Sequence, residues 1–277
     1  MNKNPLIIYH ANCHDGFGGA FAAWKKYGDG AEYFPARYGD IPPIIVGRDV
    51  IIIDFSYPAE TLQKMQAKAS SLIVLDHHIG AEADIKSIKN YVYDINYSGA
   101  VLAWSYLFPD KPTPKLFLYL EQGDLYKFDL PRTLDIKTYI YALPMDFQLY
   151  EKLLEEFEDE KKLETFANKG AVFSEYRQII LEHIARKAGD VEFEGYRVLA
   201  VNAPHEFRSD LGNYLATKKP PFGIVWYPEK NDFSFSLRGT GSVNLSEIAK
   251  KYGGGGHHNA ASFRWDIKTS FPFKKLG

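Results

Sequence analysis

The 277-residue chain carries 45% hydrophobic and 25% charged residues, a composition typical of a globular protein with one large domain or two modest ones. Its formal net charge of -2 excludes a global basic field for long nucleic acid, but it allows a short phosphate-bearing ligand. The single cysteine, Cys13, excludes an intramolecular disulfide framework. Neither a signal core over residues 1–6 nor an apolar run of roughly 20 residues is present, so we expect a soluble cytoplasmic protein without a membrane partner.

Three short apolar runs rich in Ile and Val predict parallel strands that are buried on both faces, at residues 6–9, 50–53 and 72–75. Apolar residues at helical spacing predict helices over 16–27 and 58–69. Strands that alternate with helices favour an α/β domain with a doubly wound, mostly parallel sheet.

The second half of the chain changes character twice. A charge-rich helical pattern over 145–187 favours a connecting region, and strand-like and helix-like runs beyond residue 190 favour a second, smaller α+β domain. The predicted domains are a parallel-sheet domain over 1–144, a helical connector over 145–189 and the α+β domain over 190–277.

Candidate metal ligands stand where the predicted strands end. His10, Asp54 and Asp76 each close an apolar run, and ligands gather at this edge of an open α/β sheet. The triplet Asp76-His77-His78 offers oxygen and imidazole ligands, which suit Mn or Zn better than Ca. Each element has a plainer alternative, since the triplet could be a solvated loop and Asp54 could cap a helix. Their combination favours one shared site.

These elements, in this order, resemble the DHH phosphoesterase family. The amino-terminal domain of that family is marked by a His/Asp-rich loop after the first strand, an Asp after a later strand, an Asp-His-His triplet and a further Asp. The matching elements here are the 10–16 loop, Asp54, the triplet 76–78 and Asp124. Residues 253–263, Gly-Gly-Gly-Gly-His-His-Asn-Ala-Ala-Ser-Phe, resemble the glycine-histidine loop of the DHHA1 substrate-binding domain, so the resemblance covers nearly the whole chain.

The first motif departs from the commonest family form, in which a His is followed by two Asp separated by one residue. This chain has His10 and a single Asp15, which we take as ligands. Whether Asn12 or His14 fills the position of the missing carboxylate is left open. Cys13 is interpreted as a spectator rather than a nucleophile, because neighbouring side chains on extended backbone point apart and a thiol nucleophile needs a base within hydrogen-bond distance.

The resemblance implies a site for two divalent cations, with Mn²⁺ expected and Mg²⁺ or another divalent metal as alternatives. Asp54 would bridge the two ions, His10 and Asp15 would hold one, and His77 and Asp124 the other. The implied metal ligands are His10, Asp15, Asp54, Asp76, His77 and Asp124. The implied catalytic residues are Asp54, His77 and His78, with His78 facing the phosphate or the leaving oxygen.

The second predicted domain offers groups for the substrate. Consecutive glycines let backbone amides approach a phosphate, and His257 adds a donor. The run is not a Walker loop, since no Gly-Lys-Ser/Thr follows it. Arg238 could pair with a phosphate in bidentate fashion, and Arg37 is a weaker candidate; a plain surface arginine is the alternative for both. The expected substrate-binding residues are His78, Arg238, Gly255, Gly256 and His257.

The expected function is hydrolysis of short oligonucleotides or small phosphorylated nucleotides by metal-activated water. One alternative is a nucleotide-binding sensor that has lost turnover with its missing carboxylate, and another is a pyrophosphatase or polyphosphatase. A processive exonuclease is disfavoured because the chain lacks a basic stripe, and no long duplex partner is expected. The oligomeric state is not predicted.

Overall fold

The chain divides into two compact units, Met1–Ser174 and Glu175–Gly277. A computed structural model describes residues 4–229 and 232–276. Within these ranges, no helix is both long and apolar enough to span a bilayer.

The first unit is built on a five-stranded sheet in which every pairing is parallel. Its strands are β1 Leu6–His10, β2 Glu32–Ala36, β3 Asp49–Ile53, β4 Ser71–Asp76 and β5 Tyr91–Tyr93. The spatial order is β2-β1-β3-β4-β5, so the chain moves outward from β1 in one direction and then builds the rest of the sheet in the other. The carboxyl ends of β1 and β3 therefore flank the topological switch point, where open α/β sheets bind ligands.

Helices cover the two faces of this sheet. They are α1 His14–Tyr27, α2 Ala59–Lys68, α3 Glu82–Ile85, α4 Gly99–Leu107, α5 Lys115–Asp124, α6 Thr133–Tyr141 and α7 Phe147–Glu156, followed by the long α8 Glu160–Ala185. The predicted doubly wound α/β class is confirmed.

Alternate residues of the central strands enter two separate cores, because successive side chains of a strand point to opposite faces. Ile7 and Ile53 pack with α1, α4 and α5 on one side, whereas Ile8 and Ile52 pack with α2 and α3 on the other. Burial on both faces is the reason that these strands read as unbroken apolar runs.

The second unit contains a seven-stranded sheet in the order β10-β11-β9-β8-β7-β6-β12. Its strands are β6 Gly189–Phe193, β7 Tyr196–Asn202, β8 Phe222–Pro228, β9 Asp232–Gly239, β10 Gly255–His257, β11 Ala260–Asp266 and β12 Lys274–Lys275, and its helices are α9 Arg208–Lys218 and α10 Leu245–Lys251. All pairings are antiparallel except β7 with β8. The segment predicted as a connector, 145–189, contains α7 and α8; its boundaries stay a prediction.

Candidate metal centre

The carboxyl ends of three adjacent strands place the candidate ligands at one edge of the parallel sheet. His10 ends β1, Asp54 follows β3, and Asp76 ends β4. Asp54 has a left-handed backbone with φ 57°, a conformation that Asp tolerates better than most residues, while its amide still donates to the Leu75 carbonyl at 2.9 Å. The strand thus continues its pairing up to the residue whose side chain enters the site.

Two helices complete the set. Asp15 lies in the first turn of α1, directly after the loop that follows β1, and Asp124 is the last residue of α5. Asp15 is fully buried, as is Asp76, and Asp54 is 1% exposed. Burying several carboxylates in one place is costly unless they are paired or coordinate a cation.

Three groups of side chains bring their ligand atoms within 4.8 Å of one another: Asp54, Asp76, His77 and His78; His10, Cys13 and Asp54; and Asp15, His77 and Asp124. Asp54 and His77 each belong to two groups, which makes them the centre of the cluster. Asp15 is grouped with His77 and Asp124, a different pairing from the expected one with His10. The roles of these residues as ligands stay a proposal.

Short contacts link the groups. His77 Nε2 lies 3.2 Å from Asp54 Oδ1 and 3.4 Å from Asp124 Oδ2, and His10 Nδ1 lies 3.4 Å from Asp54 Oδ2. Asp76 acts on its own triplet: its Oδ1 accepts the backbone amide of His77 at 2.7 Å and contacts His78 Nδ1 at 2.7 Å. Asp76 therefore fixes both the turn and the orientation of the His78 ring.

The carboxylates repel one another in the absence of a cation. Burial and the neighbouring carboxylates of Asp54 and Asp124 raise the pKa of Asp15 well above its usual range. Burial and Asp54 likewise raise the pKa of Asp124. Negative charge at this edge of the sheet is thus in excess, which is the condition that a bound cation relieves.

Imidazoles supply the compensating positive charge. Burial alone raises the pKa of Asp54, but His10 and His77 outweigh it and hold that pKa well below its usual range. Burial lowers the pKa of His77, yet Asp54 and Asp124 outweigh burial and bring it to about 9. A divalent cation would replace the His77 proton, because imidazole binds a metal only in its neutral form.

Unpartnered atoms indicate that the residues fit a metal ion. Among the described residues, the buried atoms His10 Nδ1, Asp15 Oδ2, Asp54 Oδ2 and Asp76 Oδ2 have no hydrogen-bond partner. Buried polar atoms are nearly always satisfied, and a divalent cation is a partner that accepts nitrogen and carboxylate oxygen together.

The amino terminus of α4 is a part of the site that sequence reasoning missed. The Ala100 amide donates to Asp15 Oδ1 at 3.2 Å, so the positive end of this helix faces the buried carboxylate. A Cβ at Gly99 would lie 2.4 Å from Asp54 Cβ and 3.0 Å from Asp15 Oδ2. Ser98, which accepts the Val101 amide as the helix cap, was the available signal, because Ser before an apolar helical run marks a helix start.

The loop after β1 contains the two candidates for the missing carboxylate, Asn12 and His14, and also Cys13. His14 is buried, lies 2.8 Å through Nδ1 from the Tyr150 hydroxyl, and stacks on the Tyr141 ring. Asn12 is exposed, with φ 59°. Neither residue is in the metal groups given above, whereas Cys13 is. In the common family form the first Asp stands two residues before the second. If Asp15 is the second, Cys13 occupies the position of the first.

The Cys13 thiol shares the electrostatic field of the carboxylates. Burial raises its pKa well above the usual value, and the charges of Asp54 and Asp15 raise it further. Without a cation, the thiol therefore keeps its proton. A cation beside it would reverse the sign of the local field.

The predicted substrate residues other than His78 lie on neighbouring strands in the sheet of the second unit. His257 on β10 pairs with Ala260 on β11, and Ala260 pairs with Arg238 on β9, so all three side chains share one face. Gly256 has φ 141°, and a Cβ there would lie 2.4 Å from the Ala260 carbonyl oxygen, so this hairpin requires glycine. His257 is exposed, and a Cβ at Gly255 would meet no atom of the described residues within 4 Å.

The two arginine candidates differ in their surroundings. The Arg238 guanidinium donates to Ser236 Oγ and Ser209 Oγ, each at 2.9 Å, and so has a defined orientation. Arg37 is exposed, and its amide donates to Asp40 Oδ2 at 2.8 Å.

Two known proteins are similar to the chain in sequence. An uncharacterized protein R106 of Acanthamoeba polyphaga mimivirus is 33% identical over 306 residues, covering 100% of this chain and 72% of the viral protein. The cyclic-di-AMP phosphodiesterase PdeA of Listeria monocytogenes is 26% identical over 241 residues, covering 82% of this chain. The chain spans only 35% of the length of PdeA. No family model matches the chain.

Solved structures share the fold. The PF0399 DHH domain matches with a TM-score of 0.60 at 14% identity, over 99% of this chain and 83% of that one. The pGpG-specific phosphodiesterase PggH of Vibrio cholerae matches with 0.54 at 16% identity, over 95% and 94%. RecJ of Thermus thermophilus in complex with Mn²⁺ matches with 0.54 at 13% identity, over 95% and 50%. Fold and sequence define a protein of the DHH class. The chain belongs to the DHH/DHHA1 phosphoesterase family.

Proposed function

We propose that this protein is a metal-dependent phosphodiesterase that hydrolyses short oligonucleotides or small nucleotides. The observation that carries the proposal is the buried cluster at the switch point of the sheet, where Asp15, Asp54 and Asp76 each retain a carboxylate oxygen without a hydrogen-bond partner among the described residues. Family membership indicates phosphoester chemistry, and the cluster offers ligands for the metal ions that would carry it out.

Two cations would share Asp54. One would be held by His10, Cys13 and Asp54, the other by Asp15, His77 and Asp124, with Asp54 also close to His77. When bound, such a pair of divalent cations supplies a water nucleophile at neutral pH and offsets the charge of the phosphoryl group. Mn²⁺ suits the second set, which has only carboxylate and imidazole ligands.

Residues of the chain itself would orient the site and donate hydrogen bonds to the substrate. Asp76 orients the His78 ring through Nδ1, so that Nε2 is left to donate to a phosphoryl or leaving oxygen. Burial lowers the pKa of His78, but Asp76 and Asp54 outweigh burial and raise it, which favours the donating form. The α4 amino terminus holds Asp15 in place through the Ala100 amide.

The β10–β11 hairpin and Arg238 would bind a phosphate group of a nucleotide. Arg238 and His257 stand two strands apart, roughly 10 Å at the usual strand spacing, with only the small Ala260 between them on the same face. Gly255 leaves the backbone open to a ligand. This arrangement supports an anionic ligand that reaches both side chains.

Small nucleotides are favoured over polymers as substrates. PdeA and PggH are named as enzymes for cyclic-di-AMP and pGpG, and this chain has a net charge of -2 without a basic stripe for a long strand. A linear dinucleotide or a 3'-phosphorylated adenosine bisphosphate is our proposed substrate class, in a cytoplasmic setting.

A nucleotide panel with the purified full chain tests the function. After chelation, we expect no hydrolysis of linear dinucleotides, adenosine bisphosphate, pyrophosphate or polyphosphate. Adding Mn²⁺ should restore release of mononucleotide or phosphate, and should stabilise the fold by about 2.7 kcal/mol at 100 times its dissociation constant. Stabilisation by nucleotide without any product would support the sensor instead, and turnover of pyrophosphate alone would support the pyrophosphatase.

Replacing Arg238 by alanine should raise KM for the nucleotide about 10- to 100-fold with little change in kcat, because a hydrogen bond to a charged group is worth about 1.5–3 kcal/mol. Steady-state kinetics with the best substrate of the panel measure this split. The matched control is Arg264→Ala on β11, whose guanidinium lies 3.2 Å from Glu229. Equal effects of the two changes would argue against a substrate role for Arg238.

A further inference from the structure

Cys13 contributes its sulfur to a set of three ligand atoms at the end of β1. The Cys13 Sγ, one ring nitrogen of His10 and one carboxylate oxygen of Asp54 all lie within 4.8 Å of one another. This is the only cysteine of the chain. The position holds sulfur where the rest of the cluster offers carboxylate and imidazole.

Two buried, unpartnered atoms belong to the residues of this set. His10 Nδ1 and Asp54 Oδ2 lie 3.4 Å apart, and neither has a hydrogen-bond partner among residues 4–229 and 232–276. Asp54 is only 1% exposed, so solvent does not satisfy that oxygen. Two ligands at zinc distances in a tetrahedral site are roughly 3.3 Å apart, close to the observed separation.

The ligand types select the ion. Thiolate with imidazole favours Zn²⁺ and related soft cations, whereas Mg²⁺ takes oxygen ligands and keeps several waters. Three protein ligands with an open fourth position are the arrangement of catalytic rather than structural zinc sites.

We propose that Cys13 binds, as a thiolate, the cation held by His10 and Asp54, and that this position selects a zinc-like ion over Mg²⁺. The thiol proton is released to solvent on binding. The inference rests on the proposed function, since it concerns one half of the same cation pair. The half formed by Asp15, His77 and Asp124 keeps its preference for Mn²⁺, so the pair would be mixed.

The absorption spectrum of bound Co²⁺ shows directly whether a sulfur atom coordinates the ion. Titration of the metal-free protein with Co²⁺ should produce a near-ultraviolet sulfur-to-cobalt charge-transfer band, together with the visible bands of bound Co²⁺. Equilibrium dialysis should count two ions per chain. With Zn²⁺ bound, a thiol reagent should no longer modify the protein, whereas with Mg²⁺ it should still modify one thiol.

Matched variants distinguish the effect of the sulfur atom from the effect of having any metal ligand at position 13. Cys13→Ser and Cys13→Asp should both lose the charge-transfer band. Cys13→Asp should still bind two Co²⁺, with Zn²⁺ affinity weakened at least about tenfold, as is typical when a metal site is altered, and Mg²⁺ affinity maintained. Asp124→Asn, in the other ligand set, should keep the band.

The outcomes distinguish the two proposals. Two bound Co²⁺ without a charge-transfer band, or a band that persists in Cys13→Ser, would overturn the role of Cys13 and leave the metal-dependent phosphodiesterase standing. Absence of any Co²⁺, Zn²⁺ or Mn²⁺ binding by the wild-type chain would overturn both. Protection of Cys13 from the thiol reagent by Zn²⁺ is measured on the wild-type protein, so this test does not depend on whether a variant folds.

Discussion

Replacing Asp54 by asparagine should lower kcat/KM for metal-dependent hydrolysis by roughly 10³-fold or more, since cation stabilisation of the reaction is worth several kcal/mol. Asp54 contacts His10 at 3.4 Å and His77 at 3.2 Å and joins two ligand groups, so one change disturbs both cations. Asparagine keeps the volume and tolerates the left-handed backbone at φ 57°, so the fold should be retained.

The measurement combines kinetics with Mn²⁺, metal stoichiometry by dialysis and circular dichroism. Asp94→Asn is the matched control, because Asp94 also follows a strand of the same sheet, caps the Asn96 amide at 2.9 Å and lies outside the metal groups. That control should keep at least about half of the activity, as surface changes usually do little. Retention of a tenth or more of wild-type activity by Asp54→Asn would refute the central role of Asp54.

Replacing Gly99 by alanine should reduce kcat/KM at least about 100-fold, since a displacement of about 1 Å at a reacting site can cost that much. A methyl group there would lie 2.4 Å from Asp54 Cβ and 2.9 Å from Asp54 Cα, so α4 or the end of β3 must move. The crowding should also lower the free energy of unfolding by about 1–3 kcal/mol.

Kinetics, Mn²⁺ affinity and urea denaturation together measure this effect. Gly30→Ala is the control, because a Cβ at Gly30 would meet no atom within 4 Å in the part of the chain that the structure describes. If Gly99→Ala matched Gly30→Ala in all three measurements, the close approach of α4 to Asp54 would not be required for the site.

The fold was predictable because burial on both faces leaves a direct mark on the sequence. The runs around Ile7, Ile52 and Val74 are apolar without interruption, and each of these side chains is fully buried. The carboxyl ends of parallel strands lie at the same edge of the sheet, so the convergence of His10, Asp54 and Asp76 could be expected from the predicted parallel arrangement.

The remaining parts of the site depend on side-chain direction, which the one-dimensional pattern does not carry. The expected helix over 16–27 begins at His14 instead, and this earlier start turns His14 toward Tyr150. Ser98 marks the start of α4 in the sequence, but the sequence does not show that the Ala100 amide meets Asp15 or that Gly99 lies against Asp54, and so this part of the site was missed.

The candidate reactive groups lie beyond the strand ends. The apolar layers that hold the fold together are therefore separate from the loops that surround the site. The two apolar layers on either side of the sheet fix where the rim lies. Surface loops leaving that rim, such as the one with Ile41 at 87% and Ile44 at 84% exposure, can therefore change in sequence without disturbing the scaffold. New specificities on this framework would then arise by exchange of these loops.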